Sequence, residues 1–256
     1  MTKPCVALVL GSGSARGMAH IGVLQVFQEE GILVDLVVGC SAGAIAGSLY
    51  AAGADLYMLE KLFDTYPVMK QLLDLSLPRT GLVKGDKVLE FLRLLTKDWC
   101  FEALPLRLAV TATDIENGTQ VVFTEGNIAQ AVRASLSIPG IFHPYCYQGK
   151  VLVDGGVIER LPVGVAKSMG ADYIIGVDVK SGREVDPNSI FSVMMRSIEI
   201  MEEEVYRRTP VDLDIYIQPD VTHIGSFKFD LAGEAVRLGR EAALKQLPEI
   251  KRLLQL

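Results

Sequence analysis

Residues 36–54 carry no charged side chain over nineteen consecutive positions and place glycines at 39, 43 and 47. A run of that length has two outlets: a membrane helix packed through its glycines, or a buried strand that turns into a buried helix. The pair Val37-Val38 at its front and the interruption Gly39-Cys40-Ser41-Ala42-Gly43 favour strand, turn, helix, and no second such run exists in the chain. The same alternation surrounds it. Apolar runs at 6–10 and 32–38 precede helical patterns at 18–30 and 42–52, a βαβα opening that implies a parallel sheet.

Residues 54–105 change character, with leucines at helical spacing broken by Pro67, Pro78 and Gly81, and read as a helical insertion. Strands at 106–113 and 120–124 flank Asn117-Gly118, a hairpin signal. A helix at 127–136, a strand at 151–153, a helix at 163–169 and a buried strand at 173–179 then resume the alternation. A long helix at 190–208, a short strand at 214–218 and a helix at 231–245, stopped by Pro248 and followed by a short helical tail, complete it. The expected architecture is α/β, a mostly parallel central sheet flanked by helices in a single domain over 1–256, with the helical insertion at about 54–105.

Half of the residues are apolar and 22% are charged, which excludes a disordered chain. Net charge is -6 and no run of Lys or Arg exceeds a pair such as Arg207-Arg208, so no nucleic-acid partner is expected. Cys5, Cys40, Cys100 and Cys146 lie far apart without a CxxC, suggesting neither zinc nor disulfides and a reducing, cytoplasmic setting. Only five apolar residues precede Gly11, too short for a signal-peptide core.

Three loops carry chemistry-bearing residues. Gly39-Cys40-Ser41-Ala42-Gly43 fits GxSxG at a strand-to-helix junction, where a sharp turn lifts a serine above the sheet; it also reads as a glycine-rich helix start that packs closely. Gly11-Ser12-Gly13-Ser14-Ala15-Arg16-Gly17 follows another strand, where backbone N–H groups cradle a phosphate or an oxyanion. It is out of register for the dinucleotide fingerprint and lacks the P-loop lysine. Arg16 there supports the loop, attracts an anionic head group or caps a surface turn. Asp154-Gly155-Gly156 places a carboxylate at a strand end, or simply marks a turn. His20, His143 and His223 sit in no motif, and no HExxH or carboxylate cluster at metal spacing is present, so neither metal nor cofactor is expected.

The order GSGSARG (11–17), GCSAGA (39–44), DGG (154–156) resembles the patatin-like phospholipase family, specifically its small bacterial members. The likeness extends to RASLSIPG at 133–140, the hairpin from Ala112 to Phe123, Leu161-Pro162-Val163 and the stretch from Gly225 to Arg240. It implies a Ser-Asp dyad without a catalytic histidine: Ser41 as nucleophile between Gly39 and Gly43, Asp154 as its base, and Gly11, Ser12, Gly13 and Arg16 in the oxyanion loop. Ser12 stands where a glycine is more usual, and Glu159 where an asparagine is common. The function so implied is a serine acyl hydrolase of lipid carboxylic esters, of lysophospholipase, phospholipase A or esterase type, touching a membrane surface transiently. A regulatory or lipid-binding protein of the same fold and a Ser-His-Asp esterase are the alternatives. Residues 67–82, apolar and bounded by prolines, read either as packing for the helical insertion or as an exposed face that meets the acyl chain.

Overall fold

The computed structural model describes residues 3–66, 68–75, 80–180, 182, 185–209 and 212–256. Its elements, in chain order, begin with β1 (Val6–Leu10), a 3-10 turn (Ser14–Met18), α1 (Ala19–Glu29), β2 (Leu36–Cys40) and α2 (Ala42–Ala51). The insertion contributes α3 (Leu56–Thr65), α4 (Val68–Leu72) and α5 (Asp86–Leu95). Then follow β3 (Arg107–Asp114), β4 (Thr119–Phe123), α6 (Ile128–Ser135), β5 (Tyr145–Tyr147), β6 (Lys150–Asp154), α7 (Val163–Ser168) and β7 (Tyr173–Val177). The chain ends with α8 (Ile190–Arg208), β8 (Ile215–Ile217) and α9 (Ala232–Leu254).

β3, β2, β1, β7 and β8 lie side by side and parallel, while β4, β5 and β6 pair antiparallel at one end. Both faces of the parallel strands are covered. Leu8, Leu10, Val37 and Val110 join the core shared with α1, α2 and α9, and Ala7, Val9, Val38 and Ala109 pack toward α7. This double coverage explains why strands 1 and 2 read as unbroken apolar runs rather than alternating ones. No described helix is long and apolar enough to cross a membrane, so residues 36–54 form strand, turn and helix.

One register sets up the site. Val110 and Thr111 pair with β2 and β4, whereas Ala112 to Asp114 pair with β4 and β6. A strand has two edges, so β2 and β6 share one edge of β3, end to end. β2 stops with Cys40 opposite Thr111, and β6, running the other way, stops with Asp154 opposite Ala112. The residue after β2 is Ser41.

Three expectations need correction. The second strand begins at Leu36 rather than at 32, because 32–35 is a connection: Leu33 is exposed and the Asp35 carboxylate takes the Val6 N–H. The three-residue β5 was not anticipated. Pro248 lies inside α9 instead of ending it: Leu244, whose carbonyl loses its helical donor, is solvent-exposed, and beyond the proline Ile250 is fully buried with Leu253 and Leu254 against the core.

Candidate active site

Ser41 has φ 53° and ψ -119°, a conformation costly for any residue with a Cβ, and it caps the N-terminus of α2. The turn exists because its neighbours are small. A Cβ on Gly43 would lie 2.1 Å from the Leu10 carbonyl oxygen, and one on Gly39 would lie 2.6 Å from the Gly43 oxygen. Backbone contacts hold the turn: the Ser41 N–H donates to Ser135 Oγ at 2.8 Å, and its carbonyl accepts from the Ala44 and Ile45 N–H groups.

Ser41 Oγ donates to Asp154 Oδ2 at 2.6 Å, and Asp154 Oδ1 accepts the Gly156 N–H at 2.8 Å. Both side chains are buried, Ser41 at 3% and Asp154 at 4% exposure. Burial is the dominant effect on the carboxyl and pushes its pKa up to about 6, although the bonds from Ser41 and Gly156 pull it down. The Cys40 thiol, directly before Ser41, is pushed up by burial and then by Asp154.

The glycine loop lies beside them. The Gly11 N–H donates to the Val177 carbonyl and the Ser12 N–H to the Arg160 carbonyl, so these two amides are committed to the sheet and its loops. Gly13 and Ser14 follow, Ser14 at φ 50°, and both line the cleft with Ser12, Ser41 and Asp154. Arg16 is 3% exposed and does not cap a surface turn: its guanidinium donates to the Ile224 carbonyl, Ser226 Oγ and Glu199 Oε1, the last at 2.5 Å. Of the residues singled out in the sequence, the structure thus brings Ser41, Asp154, Ser12, Gly13 and Arg16 to one cleft, with Gly11, Gly39 and Gly43 behind it.

No histidine lines the cleft among the described residues. His20 is fully buried and donates Nε2–H to the Gly11 carbonyl at 2.9 Å, and desolvation lowers its pKa to about 4. His223 pairs with Glu234. His143 Nδ1 contacts Thr80 Oγ1. Among the described residues no group of three or more His, Cys, Asp or Glu is arranged to hold a metal ion.

The wall facing Ser41 is α8, which sequence reasoning missed as a site element. Met195, Ile198, Glu199 and Glu202 project into the cleft at the i, i+3, i+4, i+7 spacing that was legible as a helix face. Ser12 Oγ, where a glycine is more usual, donates to Glu202 Oε2 at 3.4 Å. Glu159, in place of the common asparagine, accepts from Gln120 Nε2 and the Gly164 N–H. From the 67–82 stretch, Leu72 packs against the core and Leu75 is exposed, and no described residue of it lines the cleft; residues 67 and 76–79 lie outside the described residues.

A family model described as patatin-like phospholipase matches residues 8–167. An uncharacterized NTE family protein of Mycobacterium bovis is 36% identical across 73% of this chain and 54% of its own length. Patatin-like phospholipase domain-containing protein 7 of Rattus norvegicus is 38% identical across 73% of the chain and 14% of its own, and lysophospholipase NTE1 of Pyricularia oryzae 30% identical across 96% and 18%. The chain therefore spans about half the length of the first relative and less than a fifth of the other two. Among solved structures, VipD from Legionella pneumophila superposes with a TM-score of 0.72 at 16% identity, over 97% of this chain and 67% of that one, a likeness of fold.

Proposed function

The chain belongs to the patatin-like phospholipase family, and we propose that it hydrolyses carboxylic esters of lipids through the pair Ser41–Asp154. The 2.6 Å bond from Ser41 Oγ to Asp154 Oδ2 carries this reading. An aspartate at its ordinary pKa is a poor base, and burial that lifts Asp154 to about 6 supplies part of the missing basicity. In the first step Asp154 takes the Ser41 proton as Oγ bonds to the ester carbonyl carbon, and collapse of the tetrahedral adduct expels the alcohol with that proton. Water, deprotonated by the same carboxylate, then releases the fatty acid and returns the proton to Ser41. With the Gly11 and Ser12 amides committed elsewhere, the oxyanion falls to the N–H groups of Gly13 and Ser14, and Arg16 supports the loop through its bonds to Glu199, Ser226 and the Ile224 carbonyl.

The test is hydrolysis of a lysophospholipid and of a short soluble ester by the purified protein. Ser41→Ala and Asp154→Asn each lower kcat/KM by roughly three orders of magnitude or more. His143→Ala, His223→Ala and His20→Gln stay within about tenfold of the unmodified rate. A folded histidine variant as inactive as Ser41→Ala replaces the dyad with a triad. Absence of turnover on both esters supports the regulatory, lipid-binding alternative instead.

A further inference from the structure

Ser41 and Asp154 face a cleft of only about 30 Å³, while ligand sites for small molecules measure roughly 300–1,000 Å³. An ester reaches Ser41 only if one wall moves. The turns that carry Ser41, Asp154 and the glycine loop are tied by main-chain donors: Ser41 N–H to Ser135 Oγ, Asp154 N–H to the Ser137 carbonyl, Ser12 N–H to the Arg160 carbonyl. The fourth wall, α8, is held by side chains. Met195 is its buried apolar anchor, Arg16 and Ser226 grip Glu199, and Glu202 reaches across the cleft.

Glu202 touches both loops that flank the dyad. Its Oε2 accepts from Ser12 Oγ, and its Oε1 lies against Gly156, so close that a Cβ on Gly156 would be 2.6 Å from Glu202 Oε1 and 3.2 Å from Asp154 Oδ1. Two carboxyls this near in a dry cleft do not both hold charge without cost. Facing Glu202 are Asp154 at the end of β6, Arg160 beyond it, Ser12 in the glycine loop, the Cys40 thiol beneath Ser41, and Glu199 on its own helix, itself paired with Arg16. Burial first, and Asp154 second, raise the Glu202 pKa to about 8, against the opposing pull of Arg160 and Ser12.

We propose that Glu202 is the latch of a pH-sensitive lid: with α8 closed over Ser41 it is buried against Ser12 and Gly156 and held as a neutral acid, and lifting of α8 releases its proton. The proposal rests on Ser41–Asp154 being the reactive site, and it concerns access to that site. Once α8 lifts, Glu202 meets water and returns to the ordinary glutamate range near about 4.3. Between that value and about 8 the closed state holds one proton more than the open state. The opening constant therefore rises roughly tenfold per pH unit in that window and levels off above it. Asp154, lifted to about 6 in the same cleft, adds its own slope below that value, which leaves the span from pH 6 to 8 to Glu202.

The experiment reads α8 without turnover. Met195→Cys places a thiol under the lid, in a background where Cys5, Cys100 and Cys146 are serine, and its reaction rate with a small aromatic disulfide is followed from pH 6 to 9. Dividing by the rate in the same protein carrying Glu202→Gln cancels the titration of the thiol itself. The ratio is expected to rise about a hundredfold from pH 6 to 8 and then to level off; a rise of less than tenfold overturns the latch. Ile198→Cys, in the same wall, gives the same readout should Met195→Cys not fold. A flat ratio removes the latch and leaves the hydrolase reading intact, whereas failure of Ser41 to react with a fluorophosphonate removes the hydrolase and leaves the ratio standing.

Discussion

The base proposed in Asp154 depends on its being dry. Its two oxygens are occupied by Ser41 and Gly156, both of which favour the charged form, yet desolvation outweighs them and lifts the carboxyl to about 6. The proposed base must be ionised, so activity should be lost as pH falls through that value. In the Glu202→Gln background, where the proposed latch no longer titrates, kcat/KM for a soluble ester should drop roughly tenfold per pH unit below about 6; a pH–rate profile checks this. His20 shows the converse case, a buried histidine kept neutral. Its pKa is about 4 folded against 6.5 free, so the unfolded chain binds more protons between those values and stability is lost as pH falls from 6.5 to 4. The His20 contribution to that loss should reach about 3 kcal/mol, and because the raised carboxyls of Asp154 and Glu202 act with the opposite sign over the same range it is read as the pH-dependent difference between the protein and His20→Gln, which keeps a donor for the Gly11 carbonyl; urea titrations of both at stepped pH measure it. Ser41 and Asp154 could be singled out from the sequence because each stands at a strand end beside glycines. Glu199 and Glu202 could not, because a carboxylate in the run Ile198 to Glu204 reads as a solvated helix face until the sheet beneath it is known.

Elements meet here through close backbone contact. α1 crosses α9 so tightly that a Cβ on Gly22 would lie 1.9 Å from the Val236 carbonyl oxygen and one on Gly239 would lie 2.0 Å from that of Ala19. Alanine is favoured over glycine in a helix by about 1 kcal/mol, but the collision opposes it by more. Gly22→Ala should therefore destabilise, by on the order of 2 kcal/mol net, in chemical denaturation. The strut between α8 and the glycine loop obeys charge rather than shape. Arg16→Ala leaves Glu199 buried with, among the described residues, only Arg196, 3.6 Å away, as paired cation, and should cost on the order of 3 kcal/mol; adding Glu199→Gln should recover much of it. Element types were legible from periodicity because these strands are buried on both faces and the helices are strongly patterned. Pro248 misled because a proline signals a stop only where the turn beyond it has nothing to pack on, and Ile250 does. The three residues of β5 are too few for any period to register.

At the scale of the whole molecule, the parallel sheet places the glycine loop after β1 and the Ser41 turn after β2 at the same, carboxyl end of the strands, where ligand sites of such sheets form. The antiparallel end adds the carboxylate: β6 meets β2 head to head along one edge of β3, and Asp154 is delivered to Ser41 by register. The alternating pattern announced the parallel part. The meeting of β2 and β6 was invisible in the sequence, since it depends on which edge of β3 each strand takes. That the shared edge creates a reactive serine is the central claim, and a fluorophosphonate applied at pH 8.5, with the adduct located by peptide mass, tests it most directly. The account predicts one adduct, on Ser41, with labelling slowed by roughly three orders of magnitude in Asp154→Asn. An adduct on another serine, or Asp154→Asn labelling as fast as the unmodified protein, would contradict it.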